Sequence, residues 1–319
     1  MSEASAAAPK PNKVKVLLEL VKFEHSIFAL PYAYIGTLYG AATVMFAVPA
    51  IYPPVAPQPT PWVTLRNWPT WSALVWVTVA MVAARAVAFV VNRAVDKEID
   101  ARNPRTAGRA VPAGLIKAWE LWLFAAFMLA AYLHAVFQLA SVTHWLWPIP
   151  LAMFLVYPYL KRFTPLAHFW LGACLGLGAV GGWAAVGASL ADPAPWLLGA
   201  AVAIWTAGFD IIYATQDLDC DVRDGVHSLP ADFGLRNALV VTKIAHAAAI
   251  ILFVVGGVFT GAGWPYFVGV TSAGILLAYE NAIISPKDLS RVDAAFFTVN
   301  GMVAIAILAG ALLDRFLIR

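Results

Sequence analysis

Charged side chains are scarce in this sequence of 319 residues. Asp, Glu, Lys and Arg together make up 12% of the chain, whereas hydrophobic residues make up 61%. Soluble domains carry about 25% charged residues, so these few charges cannot cover a surface that faces water. The scarcity excludes an ordinary soluble domain and predicts a lipid bilayer as the solvent. A formal net charge of +3 gives no reason to expect a nucleic-acid partner.

Cysteine is also scarce, since the chain has only Cys174 and Cys220. Neither lies in the spacing of a metal-binding motif, and the pair predicts no disulfide framework. The first twenty residues contain no apolar core followed by a cleavage site, so we predict no signal peptide. Residues 1–14 are predicted to be a disordered tail, followed by a single transmembrane domain at 15–319.

Long apolar runs, in contrast, recur along the chain. A transmembrane helix needs about 20 predominantly apolar residues. Nine such runs, separated by Pro, Gly and charged residues, occur at 25–48, 70–92, 118–138, 143–160, 165–188, 195–214, 236–259, 263–285 and 293–313. We therefore predict an all-α polytopic membrane protein with about nine transmembrane helices.

Basic residues are unevenly distributed between the loops that these spans define. With the N-terminus inside, 17 of the 21 Lys and Arg residues fall in inside segments, and only Arg66, Arg315 and Arg319 fall outside. The remaining one, Arg85, lies within the second span. By the positive-inside rule this predicts a cytoplasmic N-terminus and an external C-terminus, in a bacterial-type inner (plasma) membrane.

Acidic residues are concentrated in two windows. Eight of the 18 Asp and Glu residues fall within 92–100 and 210–224, both on the predicted cytoplasmic side. In the first window Asn92, Asp96 and Asp100 are spaced four residues apart. On a continuous helix they would share a stripe ~80° wide.

The second window has the same arrangement. Asp210, Tyr213, Asp217 and Asp221 also share a stripe ~80° wide if the helix is continuous, whereas Asp219 points to the opposite side. Carboxylates that share one face repel each other and are costly near a bilayer, so each row needs positive partners.

Two kinds of partner would neutralise these rows. Basic side chains would make a structural network of salt bridges. A divalent metal is the other possibility, and a ligand set made only of oxygen favours Mg²⁺ over zinc or copper. Mg²⁺ commonly shares its coordination shell with substrate phosphates. Because two such rows lie on one side of the membrane, we favour Mg²⁺ with a diphosphate held between them.

Arg85 is an unusual residue for a transmembrane span. It precedes Asn92 by seven residues, which places it on the same helix face and ~10 Å deeper along the axis. An ionisable residue inside a membrane indicates a functional site by default. Its guanidinium group could bind a phosphate or a carboxylate, and a salt bridge to an acidic neighbour is the alternative.

The two windows resemble the aspartate-rich motifs of UbiA-type intramembrane prenyltransferases. These are Asn-x-x-x-Asp-x-x-x-Asp at 92–100 and Asp-x-x-Tyr-Ala-x-x-Asp-x-x-x-Asp at 210–221. Four other stretches match as well, at 22–31, 103–109, 157–162 and 227–230. The resemblance covers nearly the whole chain after about residue 14, and it is nearest to the 4-hydroxybenzoate polyprenyltransferase-like branch.

The resemblance implies nine helices around a central cavity, with cap loops on the cytoplasmic side after the second and sixth helices. It also implies that Asn92, Asp96, Asp217 and Asp221 bind Mg²⁺ and diphosphate. The expected reaction transfers a polyprenyl group from polyprenyl diphosphate to a small aromatic acid, namely 4-hydroxybenzoate beside its hydroxyl group, in ubiquinone biosynthesis. Prenylation of 1,4-dihydroxy-6-naphthoate, in the futalosine route to menaquinone, is the alternative.

These expectations assign roles to individual residues. The residues predicted to act in catalysis are Asp96, Asp210, Asp217, Asp221 and Arg85. Those predicted to bind substrate are Asn92, Asp100, Arg102, Arg105, Arg109, Tyr157, Lys161, Arg162 and Tyr213. Either Asp210 or Asp217 is expected to remove the ring proton.

Functions of other classes remain open at this stage. An ion-coupled secondary transporter would use the acids as an ion site, but transporter sites usually lie near the midplane and accompany internal repeats. Here the acids cluster toward one face and no clear repeat is visible. A purely structural membrane subunit would not need clusters of acids that are costly near lipid. The sequence predicts no particular oligomeric state.

Overall fold

The computed structural model describes residues 13, 16–17, 28–46 and 68–318. Within these residues the chain is almost entirely helical and forms no β-strand. The predicted disordered tail lies outside the described residues except for Lys13, which forms an ion pair with Glu120 near the start of a long helix. The described residues thus form an all-α protein, as predicted.

The helices in the described part follow one another with short connections. They are α1 (Leu30–Phe46), α2 (Trp71–Val95), α3 (Lys97–Arg102), α4 (Ala118–Phe137), α5 (Thr143–Leu146), α6 (Pro148–Leu160), α7 (Ala167–Ala185), α8 (Pro193–Ala214), a 3-10 turn (Thr215–Asp217), α9 (Leu218–Asp224), α10 (Leu229–Phe233), α11 (Leu235–Phe259), α12 (Trp264–Ile283), a π-helix (Ala294–Val299) and α13 (Asn300–Leu317).

Each of the nine apolar runs coincides with helix wherever the structure describes it. The fourth run is divided into α5 and α6, and Pro148 begins α6, a position where its missing N–H costs nothing. The ninth begins as the π-helix and continues as α13. Five helical segments of the described chain are long and apolar enough to cross a membrane by length and composition alone. The number of nine spans therefore stays a prediction.

Glycines in α7 allow neighbouring helices to approach closely. A Cβ atom added to Gly182 would lie 2.0 Å from the carbonyl oxygen of Ala33 in α1. A Cβ atom added to Gly172 would lie 2.0 Å from the carbonyl oxygen of Ala203 in α8. Small residues permit this kind of close contact between helices in lipid. Helix α7 is therefore clamped between α1 and α8, and the three helices form a rigid wall.

Large apolar side chains remain exposed on the outside of the bundle. Trp71 at the start of α2 is 83% exposed, and Trp264 at the start of α12 is 65% exposed. Tryptophan at helix ends is typical of the interface between membrane and water. The surface of the described bundle therefore suits a bilayer rather than water.

Candidate active site

The first acidic row is interrupted at its middle residue. Helix α2 ends at Val95, and Asp96 joins it to α3 with φ −90° and ψ 5°. The Asp96 N–H still donates to the carbonyl oxygen of Asn92 at 2.9 Å, and the Asp100 N–H donates to that of Asp96 at 2.8 Å. The prediction of one uninterrupted helix through this row is therefore wrong, although the hydrogen-bond ladder continues.

The second acidic row has a break at the corresponding residue. Helix α8 ends at Ala214, a 3-10 turn follows, and Asp217 adopts φ −103° and ψ 4° before α9 begins. This region of backbone space is sparsely populated, and active-site residues often adopt it. An uninterrupted helix is thus also a wrong prediction for the second row. Both middle aspartates lie where one helix stops and the next starts.

Residues from both rows line one cavity of about 250 Å³. The members of the two rows that line it are Asn92, Asp96, Asp100, Asp210 and Tyr213. Other predicted site residues among its walls are Arg85, Arg109, Tyr157 and Lys161. Five more lie outside the cavity lining, namely Arg102, Arg105, Arg162, Asp217 and Asp221. The structure thus brings the rows together at one end of the bundle.

Asp96 is buried among basic groups, and it is only 2% exposed. Its Oδ2 accepts hydrogen bonds from the amide of Asn92 at 3.1 Å and from the ammonium group of Lys161. The guanidinium group of Arg162 lies 3.8 Å from Oδ1 and donates to the carbonyl oxygen of Val95. Burial raises the pKa of Asp96, and the nearby Lys161 opposes this shift. Oδ1 is buried and accepts no hydrogen bond from the described residues.

Asp100 is held by two arginines. Arg109 donates to its Oδ1 at 2.8 Å, and Arg93 donates to its Oδ2 at 3.3 Å. Arg93 was not predicted as a site residue, although it precedes Asp100 by seven residues, which is two helical turns. The spacing alone could therefore have indicated this ion pair.

The loop after α3 reaches across to the second row. Asn103 donates to Oδ1 of Asp217 at 2.6 Å, and Arg105 donates to the same oxygen at 2.9 Å. Another nitrogen of Arg105 donates to the Oη of Tyr213 at 2.8 Å, and its guanidinium carbon lies 5.0 Å from the centre of that ring. Arg105 also contacts Oδ2 of Asp217. The first window thus closes directly onto the second.

The end of the second row has partners of its own. Ser228 donates to Oδ2 of Asp221 at 2.9 Å. Arg102 lies 3.5 Å from Asp224, so it pairs with an acid outside the cavity lining. Asp219 is exposed, as its predicted direction implies.

No three His, Cys, Asp or Glu side chains converge into a metal-binding group within the described chain. The reason is that basic or amide groups lie against the carboxylates of both rows, as Lys161 does for Asp96 and Arg105 for Asp217. Metal binding by Asn92, Asp96, Asp217 and Asp221 stays a prediction. The two rows nevertheless present only oxygen donors.

His168 is a site residue that the sequence did not indicate. It is 5% exposed near the start of α7, and its Nδ1 lies 2.7 Å from Oδ2 of Asp210. The N–H of Leu229 donates to its Nε2 at 3.2 Å. A single histidine in an apolar run carries no signal of its own, because the contact with Asp210 spans 42 residues.

Aromatic rings form the apolar side of the cavity. Tyr213 stacks on Phe296 with ring centres 4.1 Å apart, and Phe296 lies in the π-helix. Phe28 and Phe209 lie 5.4 and 5.3 Å from Phe296. Tyr157 also lines the cavity. The site therefore has a charged side and an aromatic side.

A second cavity of about 120 Å³ adjoins the first. The two share Arg85, Phe154 and Leu175, and the walls of the second come mainly from apolar residues of α2, α4, α6 and α7. The guanidinium carbon of Arg85 lies 5.3 Å from the ring centre of Phe89. Arg85 thus marks the boundary between the charged cavity and an apolar one.

Comparison with known proteins relates this architecture to one family. The model of the UbiA prenyltransferase family matches residues 60–302. The 4-hydroxybenzoate octaprenyltransferase of Cupriavidus necator is 31% identical over 236 residues, which cover 74% of this chain and 82% of that protein. The enzyme of the same name from Yersinia pseudotuberculosis is 31% identical over 253 residues, covering 79% and 87%.

Solved structures show the same fold. The apo structure of a UbiA homologue from Aeropyrum pernix K1 is 33% identical and superposes with a TM-score of 0.76, covering 92% of this chain and 98% of that one. A UbiA homologue from Archaeoglobus fulgidus, bound to GPP and Mg²⁺, is 18% identical with a TM-score of 0.68, covering 95% and 100%. At that identity the second likeness concerns the fold alone.

Proposed function

This chain belongs to the UbiA prenyltransferase family and is an integral membrane protein, and we propose that it transfers a polyprenyl group to 4-hydroxybenzoate. The donor is a polyprenyl diphosphate, and the new bond forms at the ring carbon beside the hydroxyl group, in quinone biosynthesis. The related octaprenyltransferases support this choice of acceptor. The reaction takes place at the cytoplasmic face of the membrane, with the N-terminus on the same side.

The observation that carries the proposal is the meeting of two acidic rows and their cations at one cavity. Lys161 and Arg109 line the cavity, and Arg105 lies against Tyr213, which also lines it. A structural salt-bridge network would not need an open space of this size between its members. An anion with several oxygens, such as a diphosphate, suits a space with these cations around it.

Magnesium fits the residues that are present. Asn92, Asp96, Asp217 and Asp221 would hold it, since Mg²⁺ prefers oxygen ligands. One buried oxygen of Asp96 accepts no hydrogen bond from the described residues, which suits an atom that awaits a ligand. When bound, magnesium supplies positive charge that neutralises the diphosphate as it leaves.

The basic side chains of the site bind the diphosphate directly. Lys161, Arg105 and Arg109 pair with carboxylates in the structure, and the diphosphate competes for the same donors. Their charge stabilises the negative charge that develops on the leaving group as the allylic carbon–oxygen bond breaks. Arg85, at the boundary with the apolar cavity, binds the carboxylate of the acceptor.

The aromatic side of the cavity protects the allylic cation. The rings of Tyr213, Phe296 and Phe209 exclude water and present their faces to positive charge. The apolar cavity takes the first isoprene units of the donor, and the rest of the chain lies in lipid. This arrangement explains why the reaction is carried out inside a membrane.

A competition experiment tests the proposal. Purified protein in lipid nanodiscs receives polyprenyl diphosphate, Mg²⁺ and equal amounts of 4-hydroxybenzoate and 1,4-dihydroxy-6-naphthoate, and products are identified by mass spectrometry. Prenylated 4-hydroxybenzoate is expected as the main product. Prenylated naphthoate alone would refute this acceptor but keep the chemistry. Ion-coupled uptake into liposomes with no prenylated product would refute the enzyme.

A further inference from the structure

Three consecutive residues after α9 hold three different parts of the site. The N–H of His227 donates to the carbonyl oxygen of Lys161 at 2.7 Å. The hydroxyl of Ser228 donates to Asp221, and the N–H of Leu229 donates to Nε2 of His168. The first two contacts serve residues assigned above to the diphosphate. The third serves a histidine that the proposed mechanism has not used.

The hydrogen bonds of His168 determine which of its nitrogens carries the proton. Nε2 accepts the backbone N–H of Leu229, so it must present a lone pair. The proton of the neutral ring is therefore on Nδ1, which donates to Oδ2 of Asp210 at 2.7 Å. A donor at this position favours the ionised form of the carboxylate and fixes its direction.

Asp210 and Asp217 are the two candidates for the group that takes the ring proton. Both oxygens of Asp217 accept hydrogen bonds from Arg105, and Asn103 adds another. Asp210 lines the cavity, and only its Oδ2 is bonded to His168, because Oδ1 accepts no hydrogen bond from the described residues. Asp210 therefore has an oxygen available for a proton, and Asp217 has none.

We propose that His168 is a positioning residue that holds Asp210 ionised and aimed into the cavity to receive the ring proton. This inference rests on the proposed prenyl transfer. As the carbon–oxygen bond of the donor breaks, its electron pair leaves with the diphosphate. The ring carbon then bonds to the allylic carbon, the carbon–hydrogen pair restores the aromatic ring, and the proton moves to Oδ1 of Asp210. The acceptor thus loses one proton, and Asp210 gains it.

His168→Leu and His168→Gln separate positioning from packing. Leucine fills similar space without hydrogen bonds, whereas the amide of glutamine accepts the Leu229 N–H and donates to Asp210. We expect His168→Leu to lower kcat ~10- to 100-fold, within the range of general-base catalysis, with the KM for polyprenyl diphosphate unchanged. We expect His168→Gln to recover most of the loss. His144→Leu, which changes a histidine away from the cavity lining, serves as the control and retains wild-type turnover.

A kinetic isotope effect tests the role of the proton directly. The acceptor carries deuterium at the ring carbon that is prenylated. Wild-type protein and His168→Gln are expected to show no effect on kcat, because loss of the proton follows the slow step. His168→Leu is expected to show a primary effect, because the misplaced base makes proton removal slow. In an Asp210→Asn background, His168→Leu is expected to cost nothing further.

The possible outcomes distinguish this inference from the proposed function. If wild-type protein makes no prenylated product, the proposed function fails and the role of His168 falls with it. If wild-type protein is active and His168→Leu matches it, the inference fails while the function stands. A slow His168→Leu that shows no isotope effect, with His168→Gln equally slow, would also overturn it by assigning His168 to packing alone.

Discussion

The two acidic rows have the same backbone and different surroundings. Asp96 and Asp217 both interrupt their helices, with φ of −90° and −103° and ψ near zero. The side chain of Asp96 is 2% exposed, and its cation, Lys161, comes from the end of α6. The side chain of Asp217 is 18% exposed, and its cation, Arg105, comes from the loop after the first row.

This difference shows that the rows are not independent copies of one device. The first row is embedded in the bundle and takes its cation from a third element. The second row is completed by the first window, through Asn103 and Arg105. A substitution in the loop after α3 should therefore be felt at the second row before the first. The following predictions test this asymmetry, from the largest effect to the smallest.

Removing a middle aspartate should have the largest effect and should abolish the asymmetry. We expect Asp96→Ala and Asp217→Ala each to lower turnover at least ~100-fold, as loss of electrostatic stabilisation of a transition state does, with helical content unchanged. The measurement is prenyl transfer by purified protein at saturating Mg²⁺, with circular dichroism as the test of folding. Asp219→Ala, an exposed neighbour in the same window, should stay near wild type. Near-wild-type turnover of Asp96→Ala would contradict the metal role.

Arg105→Ala should separate the two rows. We expect the KM for polyprenyl diphosphate to rise ~10-fold, a loss of about 1.4 kcal/mol of binding, because Arg105 connects Asp217 with Tyr213. Arg105→Lys should rescue little, since an ammonium group cannot reproduce the planar fork.

Lys97→Ala is the matched control for Arg105→Ala. It removes an exposed cation from the same segment and should leave KM unchanged. The double variant Arg105→Ala with Asp217→Ala should lose less than the two single losses added together, because the residues are in contact. Simple additivity would show that the second row does not depend on this loop.

Stability should be affected least in turnover terms and only by the embedded row. Asp100→Ala leaves Arg93 and Arg109 without their carboxylate, and the Arg93–Asp100 pair is only 9% exposed on each side. Breaking a buried pair costs about 3 kcal/mol, so we expect a lower Tm in a thermal unfolding assay. Asp224→Ala, which removes the partner of Arg102 at the outer end of the second row, should leave Tm unchanged. Equal shifts in both variants would contradict the distinction.

Part of the site could be predicted because its signal is local. The spacing of Asn92, Asp96 and Asp100 is visible in nine consecutive residues, and the positions of the apolar runs follow from composition. These features required no knowledge of tertiary contacts, and the structure places both rows at one cavity. The spacing also implied unbroken helices, which was wrong, because periodicity does not report where a single residue leaves helical geometry.

Other parts of the site could not be predicted because their partners are distant in sequence. His168 meets Asp210 across 42 residues, and Asn103 meets Asp217 across 114. A histidine or an asparagine alone has many ordinary roles, so neither side chain signals a site before the fold brings its partner near. Arg93 is the exception, since its ion pair with Asp100 lies within two helical turns and could have been found from spacing.

The sequence by itself determined that the chain is helical, belongs in lipid and carries two rows of oxygen ligands, because hydrophobicity and helical periodicity act over neighbouring residues. Only the tertiary structure decided which cation faces which carboxylate, and which aspartate keeps an oxygen available. Those choices depend on how α6, α7 and the loop after α3 pack against the two rows. Charges interact over a few ångströms in space, whatever their separation along the chain.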